Sequence, residues 1–293
     1  MNNHKHWATQ QKIIKGFLSR NSSKLNGSDV LVFIPALNEE KTIADVVNNV
    51  KRSTNFDVLV IDDGSDDNTP EIIKELDVEV LTHKKGTGWR IISGLQVAYD
   101  LGYKYVIKID GDNQHDPDDV TRLYKHAVKT QSDIVIGSRH YNGFTSNVLS
   151  LKGFGMWLSA RLVSMVSRQH ITDATSGLKL WNRRSCELAL KAFENGNLQE
   201  GSTHHSEELM IAAREKLNIQ EIPVIIHCRE YGVSKSYSRQ KLILYPFKLL
   251  QSTVTALSWK TNGYHPEPSM LLPKTELEPC HLDDVFLHDR SKY

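Results

Sequence analysis

At 293 residues the chain can bury a large core, and its formal net charge of +1 sets up no global field for a nucleic-acid partner. Its three cysteines, Cys186, Cys228 and Cys280, are scattered and exclude a disulfide framework or a cysteine-based metal cluster. No apolar run is long enough for a membrane-spanning helix and the N-terminus lacks a signal-peptide core, so a reduced, cytoplasmic setting is expected.

Residues 1–28 form a basic N-terminal extension with Lys5, Lys12, Lys15, Arg20 and Lys24 and no acidic residue. Ile13, Ile14, Phe17 and Leu18 make a partial helical stripe in it. Two readings stand side by side: a basic amphipathic helix on an anionic membrane surface, or a terminal helix that is docked or frayed. From residue 29 the pattern becomes regular. Val30–Ile34 reads as a buried strand, and Ile43, Val46, Val47 and Val50 mark a helix face. Val58–Ile61 is a second strand, followed by a helix capped by Thr69 that starts at Pro70. Val78–Leu81 is a third strand, and Ile91, Leu95 and Ala98 lie on the next helix. A fourth strand begins at Tyr105, a helix follows with Val120, Leu123, Tyr124 and Ala127, and Ile134–Ile136 is a further strand.

This alternation predicts an α/β fold with a doubly wound, mostly parallel sheet flanked by helices, and a chain of this size is expected to form it as one domain. Residues 241–260 are expected as an amphipathic helix, interfacial or dimer-forming, and 261–293 as an irregular tail.

Ligands bind such sheets beyond the carboxyl ends of the strands. Pro35–Glu39, Asp62 and Asp63, the His83–Gly88 loop, and Asp110 and Asp112 all fall at such ends and are expected to share one crevice. Asp110 and Asp112 flank Gly111; residues two apart in extended chain point the same way, so both carboxylates can converge on one object. With the amide oxygen of Gln114 they suit a hard divalent cation that also holds phosphate oxygens. Asp116 reads instead as the cap of a helix whose first residue is Pro117. Neither G-x-G-x-x-G after the first strand nor a Walker-type loop is present. A metal and side chains must then hold the phosphates, as suits departure of a nucleoside diphosphate in sugar transfer.

Val-Phe-Ile-Pro-Ala-Leu-Asn-Glu-Glu, Val-Ile-Asp-Asp-Gly-Ser, Asp-Gly-Asp-Asn-Gln-His-Asp-Pro and Ile-Gly-Ser-Arg occur in that order. Together they resemble the glycosyltransferase family 2 catalytic domain, and within it the dolichol- and polyprenyl-phosphate sugar transferases. The resemblance spans about residues 29–240. It implies a GT-A fold, an inverting mechanism dependent on Mg²⁺ or Mn²⁺, and a nucleoside-diphosphate-sugar donor. By that likeness Pro35, Ala36, Asn38 and Glu39 line the base and ribose, and Asp63 contacts the base. Asp110 and Asp112 fill the Asp-x-Asp positions, with Gln114 as a further metal ligand. Gly86 lies in a loop, Lys85–Arg90, that loosely matches the family's glycine-rich segment and is assigned to the donor. Arg229 and Lys235, in Arg-Glu-Tyr-Gly-Val-Ser-Lys-Ser, match a loop that closes over the diphosphate.

On the acceptor side, Arg139 resembles an arginine that holds the acceptor phosphate, a task its planar fork suits. Lys152 or Arg161 is the expected second basic group, and Thr175 and Ser176 lie in a matching Thr-Ser-Gly segment. Phe154–Val166 reads as a core helix or a lipid-accommodating surface. Glu207 and Glu208 open a helix, where they either complement its dipole or supply a general base for a hydroxyl acceptor. His204 and His205 are expected in a mobile loop. Ile219–His227, broken by Pro223, is expected as an edge strand.

Together these readings predict transfer to polyprenyl phosphate at the cytosolic face of a membrane, with peripheral attachment, a homodimer as an option and no nucleic acid. The alternatives are transfer to a saccharide hydroxyl in cell-surface polysaccharide or glycolipid synthesis, and a catalytically silent sugar-nucleotide-binding partner.

Overall fold

A computed structural model describes residues 2–21, 25, 27–83, 86–144, 146, 148–198, 201, 203–228 and 239–259. The chain runs α1 (Asn2–Asn21), β1 (Val30–Ala36), α2 (Ile43–Ser53), β2 (Asp57–Asp62), α3 (Thr69–Glu75), β3 (Glu79–Thr82), α4 (Thr87–Leu101) and β4 (Tyr105–Lys108). It continues with α5 (Asp118–Thr130), β5 (Ile134–Ser138), α6 (Leu151–Ser167), β6 (Lys179–Asn182), α7 (Arg183–Glu194), α8 (His204–Arg214), β7 (Ile219–Pro223) and α9 (Arg239–Ser258).

β1 is apolar along its whole length because both faces of the sheet are covered. Leu31 and Phe33 point to one side, into a core closed by residues of α1, α4, α7 and α8. Val30, Val32 and Ile34 point to the other, where α2, α3 and α5 supply Val46, Val50, Ile73, Val120 and Leu123. The strand order is β3-β2-β1-β4-β6-β5-β7. β1 pairs in parallel with β2 and β4, β2 with β3, and β5 with β7. The expected α/β class and mostly parallel sheet are therefore observed.

β6 and α7 are additions to the sequence-based expectation. β6 runs antiparallel between β4 and β5, setting Lys108 opposite Lys179. Its Lys-Leu-Trp-Asn sequence is too short and too polar at its ends to read as a buried strand. Asn182 then caps α7 by accepting from the Ser185 N–H at 2.9 Å.

Several local expectations are corrected. Thr69 is the first helical residue rather than the cap, and its hydroxyl accepts from the Glu39 N–H at 2.8 Å. Pro117 occupies the cap position, while Asp116 accepts from the Asp118 N–H at 3.0 Å and so does satisfy the end of α5. His204 and His205 are helical, in the first turn of α8 rather than in a loop. The Thr203 carbonyl starts that turn by accepting from the Ser206 and Glu207 N–H groups, both at 3.0 Å. β7 ends at Pro223, short of the expected His227, and beyond it Ile226 forms an isolated bridge to His115.

The first and last described helices, both basic, pack differently. α1 is docked: Ile14 and Phe17 are buried in the core, and Trp7 packs against Trp89 and Phe193 with ring centroids 6.3 and 5.7 Å apart. α6 and α9 are half-covered. On α6, Met156, Ala160 and Val163 are buried, as the core-helix reading expects, while Phe154 and Met165 are exposed. No helix among the described residues is long and apolar enough to cross a membrane.

Candidate active site

The carboxyl ends of β1, β2 and β4 meet at one edge, and their loops are laced together. Asn38 takes a left-handed backbone (φ 55°), which asparagine tolerates better than most residues. Its N–H donates to Ser65 Oγ at 2.9 Å, and its Oδ1 accepts from the Asp66 N–H at 2.8 Å. Asp62 closes the neighbouring turn by accepting from the Ser65 N–H and hydroxyl at 3.1 and 2.6 Å. Asn38 thus joins the β1 and β2 loops. Pro35 and Ala36 end β1 beside Ile61 and Asp62.

Asp63, the next residue, is buried. Its Oδ1 accepts from the Gly86 N–H at 2.9 Å and lies 3.3 Å from His83 Nδ1, with Arg90 Nε 3.7 Å from Oδ2. Gly86 therefore helps to hold Asp63 in place.

The Asp-x-Asp loop is fastened from below. Thr42 Oγ1 donates to the Gly111 carbonyl at 2.7 Å, tying the start of α2 to the turn. Lys108 Nζ reaches Asp110 Oδ1 at 2.6 Å and the Gly177 carbonyl at 2.9 Å. Burial alone raises the Asp110 carboxyl, but the Lys108 ammonium outweighs it and holds the group at about 2. Gly177 is required here, because a Cβ at that position would collide with Asp110 Oδ2. The Thr-Ser-Gly segment thus lies directly against the first carboxylate. Asn113 adopts a left-handed conformation (φ 56°) and turns the chain between Asp112 and Gln114. Asp112 Oδ1 accepts from the Gln114 N–H at 3.3 Å, and Gln114 Nε2 donates to the His227 carbonyl at 3.1 Å. With Nε2 so engaged, Oε1 is the end of that side chain that a cation would meet.

Two carboxylates and one carboxamide oxygen make an all-oxygen donor set, which fits a hard cation such as Mg²⁺ or Mn²⁺. Among the described residues no three His, Cys, Asp or Glu side chains gather as a metal cluster. A cation here would share its shell between these residues and ligand oxygens.

The acceptor-side residues are placed less simply. Arg139 donates from Nε and Nη2 to the two oxygens of Asp173 at 2.5 and 2.7 Å, and from Nη2 to Thr175 Oγ1 at 2.8 Å. Burial opposes ionisation of Asp173, but Arg139 keeps its carboxyl below the usual range. The planar fork expected for an acceptor phosphate is thus engaged by an internal carboxylate. Lys152 is exposed in the first turn of α6. Ser176 is fully buried, its hydroxyl donating to the Gly137 carbonyl at 2.6 Å, so it fastens the segment to β5.

Glu207 and Glu208 do open a helix, as expected, and both are buried there. Glu207 accepts from Thr203 Oγ1 at 2.8 Å. Glu208 pairs with Lys179 Nζ at 3.0 Å and accepts from the Trp181 indole N–H. A general base works within hydrogen-bond reach of the hydroxyl it deprotonates, and in this structure both carboxylates are turned to internal partners. Arg229 and Lys235 lie outside the described residues, although the chain just before them is pinned by the His227 N–H to the Gln114 carbonyl at 2.9 Å.

The sequence motifs assign no role to Lys108 or Lys179. Lys108 carries a usable signal: a lysine inside an apolar strand, two residues before an aspartate, shares that aspartate's side. Lys179 carries none, because only the antiparallel register brings it opposite Lys108.

Residues 31–187 match the model of the family described as glycosyl transferase family 2. The chain is 32% identical, over 70% of its length and 88% of the relative's, to UDP-N-acetylglucosamine–dolichyl-phosphate N-acetylglucosaminyltransferase of Methanococcus voltae. It is 29% identical to polyprenol monophosphomannose synthase of Mycolicibacterium smegmatis, over 70% of this chain and 80% of that one. Among solved structures, glucosyl-3-phosphoglycerate synthase from Mycobacterium tuberculosis, in complex with Mn²⁺, UDP-glucose and phosphoglyceric acid, superposes with a TM-score of 0.59. That match covers 85% of this chain and 86% of the other at 19% identity, a likeness of fold.

Proposed function

Because the chain belongs to glycosyl transferase family 2, we propose that it transfers a sugar from a nucleoside-diphosphate sugar to a polyprenyl phosphate, with inversion at the sugar carbon. The observation that carries the choice of acceptor is the burial of Glu207 and Glu208. A hydroxyl acceptor needs a base to take its proton, whereas a phosphate monoester is already an anion at neutral pH. The names of the relatives, a dolichyl-phosphate transferase and a polyprenol synthase, support the same acceptor class.

In this reading Pro35, Ala36, Asn38 and Glu39 frame the base and ribose, with Asp63 held for the base by Gly86, His83 and Arg90. Asp110, Asp112 and Gln114 would hold Mg²⁺ or Mn²⁺, which when bound supplies Lewis-acid stabilisation of the departing diphosphate. Lys108 keeps Asp110 ionised and fixed, so that carboxylate is preorganised. Arg139, oriented by Asp173, presents a fixed cation at the acceptor edge beside Thr175, and Lys152 adds a second positive group. Arg229 and Lys235, in the stretch that begins directly after Cys228, would neutralise the diphosphate.

The protein's place at the cytosolic face of a membrane belongs to the same proposal. The test is product analysis by mass spectrometry after incubation with a panel of nucleoside-diphosphate sugars, Mg²⁺ or Mn²⁺, and undecaprenyl or dolichyl phosphate. A glycosyl phosphoryl lipid is expected. Product formed only on saccharide hydroxyls, or none with any donor, sinks the reading.

A further inference from the structure

We propose that α6 and α9 together form the surface that seats this protein on an anionic lipid bilayer. On α9, Leu244, Phe247, Leu250, Val254 and Leu257 recur at three- and four-residue intervals and so share one face. All five are exposed, Phe247 at 71% and Val254 at 67%. The opposite side of the helix, with Leu249, Ser252 and Ala256, is the buried one. The more apolar face of α9 therefore points outward. α6 lies against it: a Cβ on Gly155 would fall 2.9 Å from the Tyr245 ring. Leu151, Phe154 and Met165 of α6 are exposed as well. The segment leading into α6 exposes Val148 and Leu149, the latter at 97%.

Charge identifies the occupant. The whole chain balances 36 basic against 35 acidic residues, yet neither α6 nor α9 contains an Asp or Glu. Their charged residues are Lys152, Arg161, Arg239, Lys241 and Lys248. A second copy docked through the same face would bring like charges together across a two-fold axis. Acyl chains flanked by anionic headgroups match both the apolar stripe and the wholly basic charge of the two helices. The proposal rests on the lipid-phosphate reading for its purpose and on this face for its evidence.

The test is flotation of the full chain with phosphatidylcholine vesicles, with and without phosphatidylglycerol, all lacking polyprenyl phosphate and donor. The protein is expected to float with the anionic vesicles. Phe247→Glu combined with Val254→Glu should lower the bound fraction about tenfold or more, and Lys248→Gln about fivefold. Both variants should keep the parent's unfolding transition, since the altered side chains are exposed. No binding to anionic vesicles, or binding unchanged in the double variant, overturns the proposal. A dimer seen by light scattering and dissociated by the double variant overturns it too, by giving the face to a second copy. Because no acceptor is present, a failed transfer assay leaves the flotation result standing, and the reverse.

Discussion

Asp110 and Glu208 are each held by a lysine, and the two lysines face each other across β4 and β6. Lys108 reaches Asp110 at 2.6 Å and Lys179 reaches Glu208 at 3.0 Å. The pairs differ in where the carboxylate ends up. The Asp110 side chain keeps 36% of its surface exposed at the open edge of the sheet, and that of Glu208 keeps 3%. The first can meet a ligand; the second is sealed beside Trp181. An ion pair at a rim positions chemistry, and the same pair in the interior mainly avoids the cost of an unpartnered charge.

The largest effect that separates the two regions is expected from Asp112→Ala, which shares the rim with Asp110. Turnover should fall roughly a thousandfold, equivalent to about 4 kcal/mol, with stability changed by less than about 0.5 kcal/mol. Initial rates at saturating metal and a denaturant titration check both halves; near-normal turnover breaks the comparison.

Glu208→Ala should do the reverse. It leaves the Lys179 ammonium buried without that carboxylate and should cost about 3–5 kcal/mol of stability in a urea titration. The rate of the folded protein, measured well below its transition, should change only a fewfold. Intact stability with a collapsed rate returns Glu208 to the chemistry.

The smallest contrast extends the comparison to the terminal helices. Phe17→Ala in α1 removes a buried ring and should cost about 3–5 kcal/mol, whereas Phe247→Ala in α9 should stay within about 0.5 kcal/mol. Equal losses at the two sites, read from urea titrations, show that the α9 face is covered in solution.

Much of the frame is legible in the sequence. The apolar runs of β1, β2 and β4 and the periodic faces of α2 and α5 are local patterns. The rule that ligands lie beyond the carboxyl ends of parallel strands then brings Asn38, Asp63, Asp110 and Asp112 to one edge. The acceptor side is less legible. Arg139 is legible as a basic group after a strand, but no local pattern announces that Asp173, 34 positions away, holds and orients its fork. Nor does one announce that the Ser176 hydroxyl meets the Gly137 carbonyl.

By itself the amino-acid sequence determined the order of most strands and helices, the sheet edge at which their loops meet and the motifs that mark the family. Periodicity, turn residues and short motifs act over a few positions and survive without a tertiary context. Tertiary structure alone decided which of several similar groups stays accessible. Lys108 meets the Gly177 carbonyl 69 positions away, and Glu208 meets Lys179 29 positions away. α1 turns its apolar stripe into the core while α9 turns its own outward. Burial and partnership are properties of packed neighbours, and those neighbours are distant in the chain.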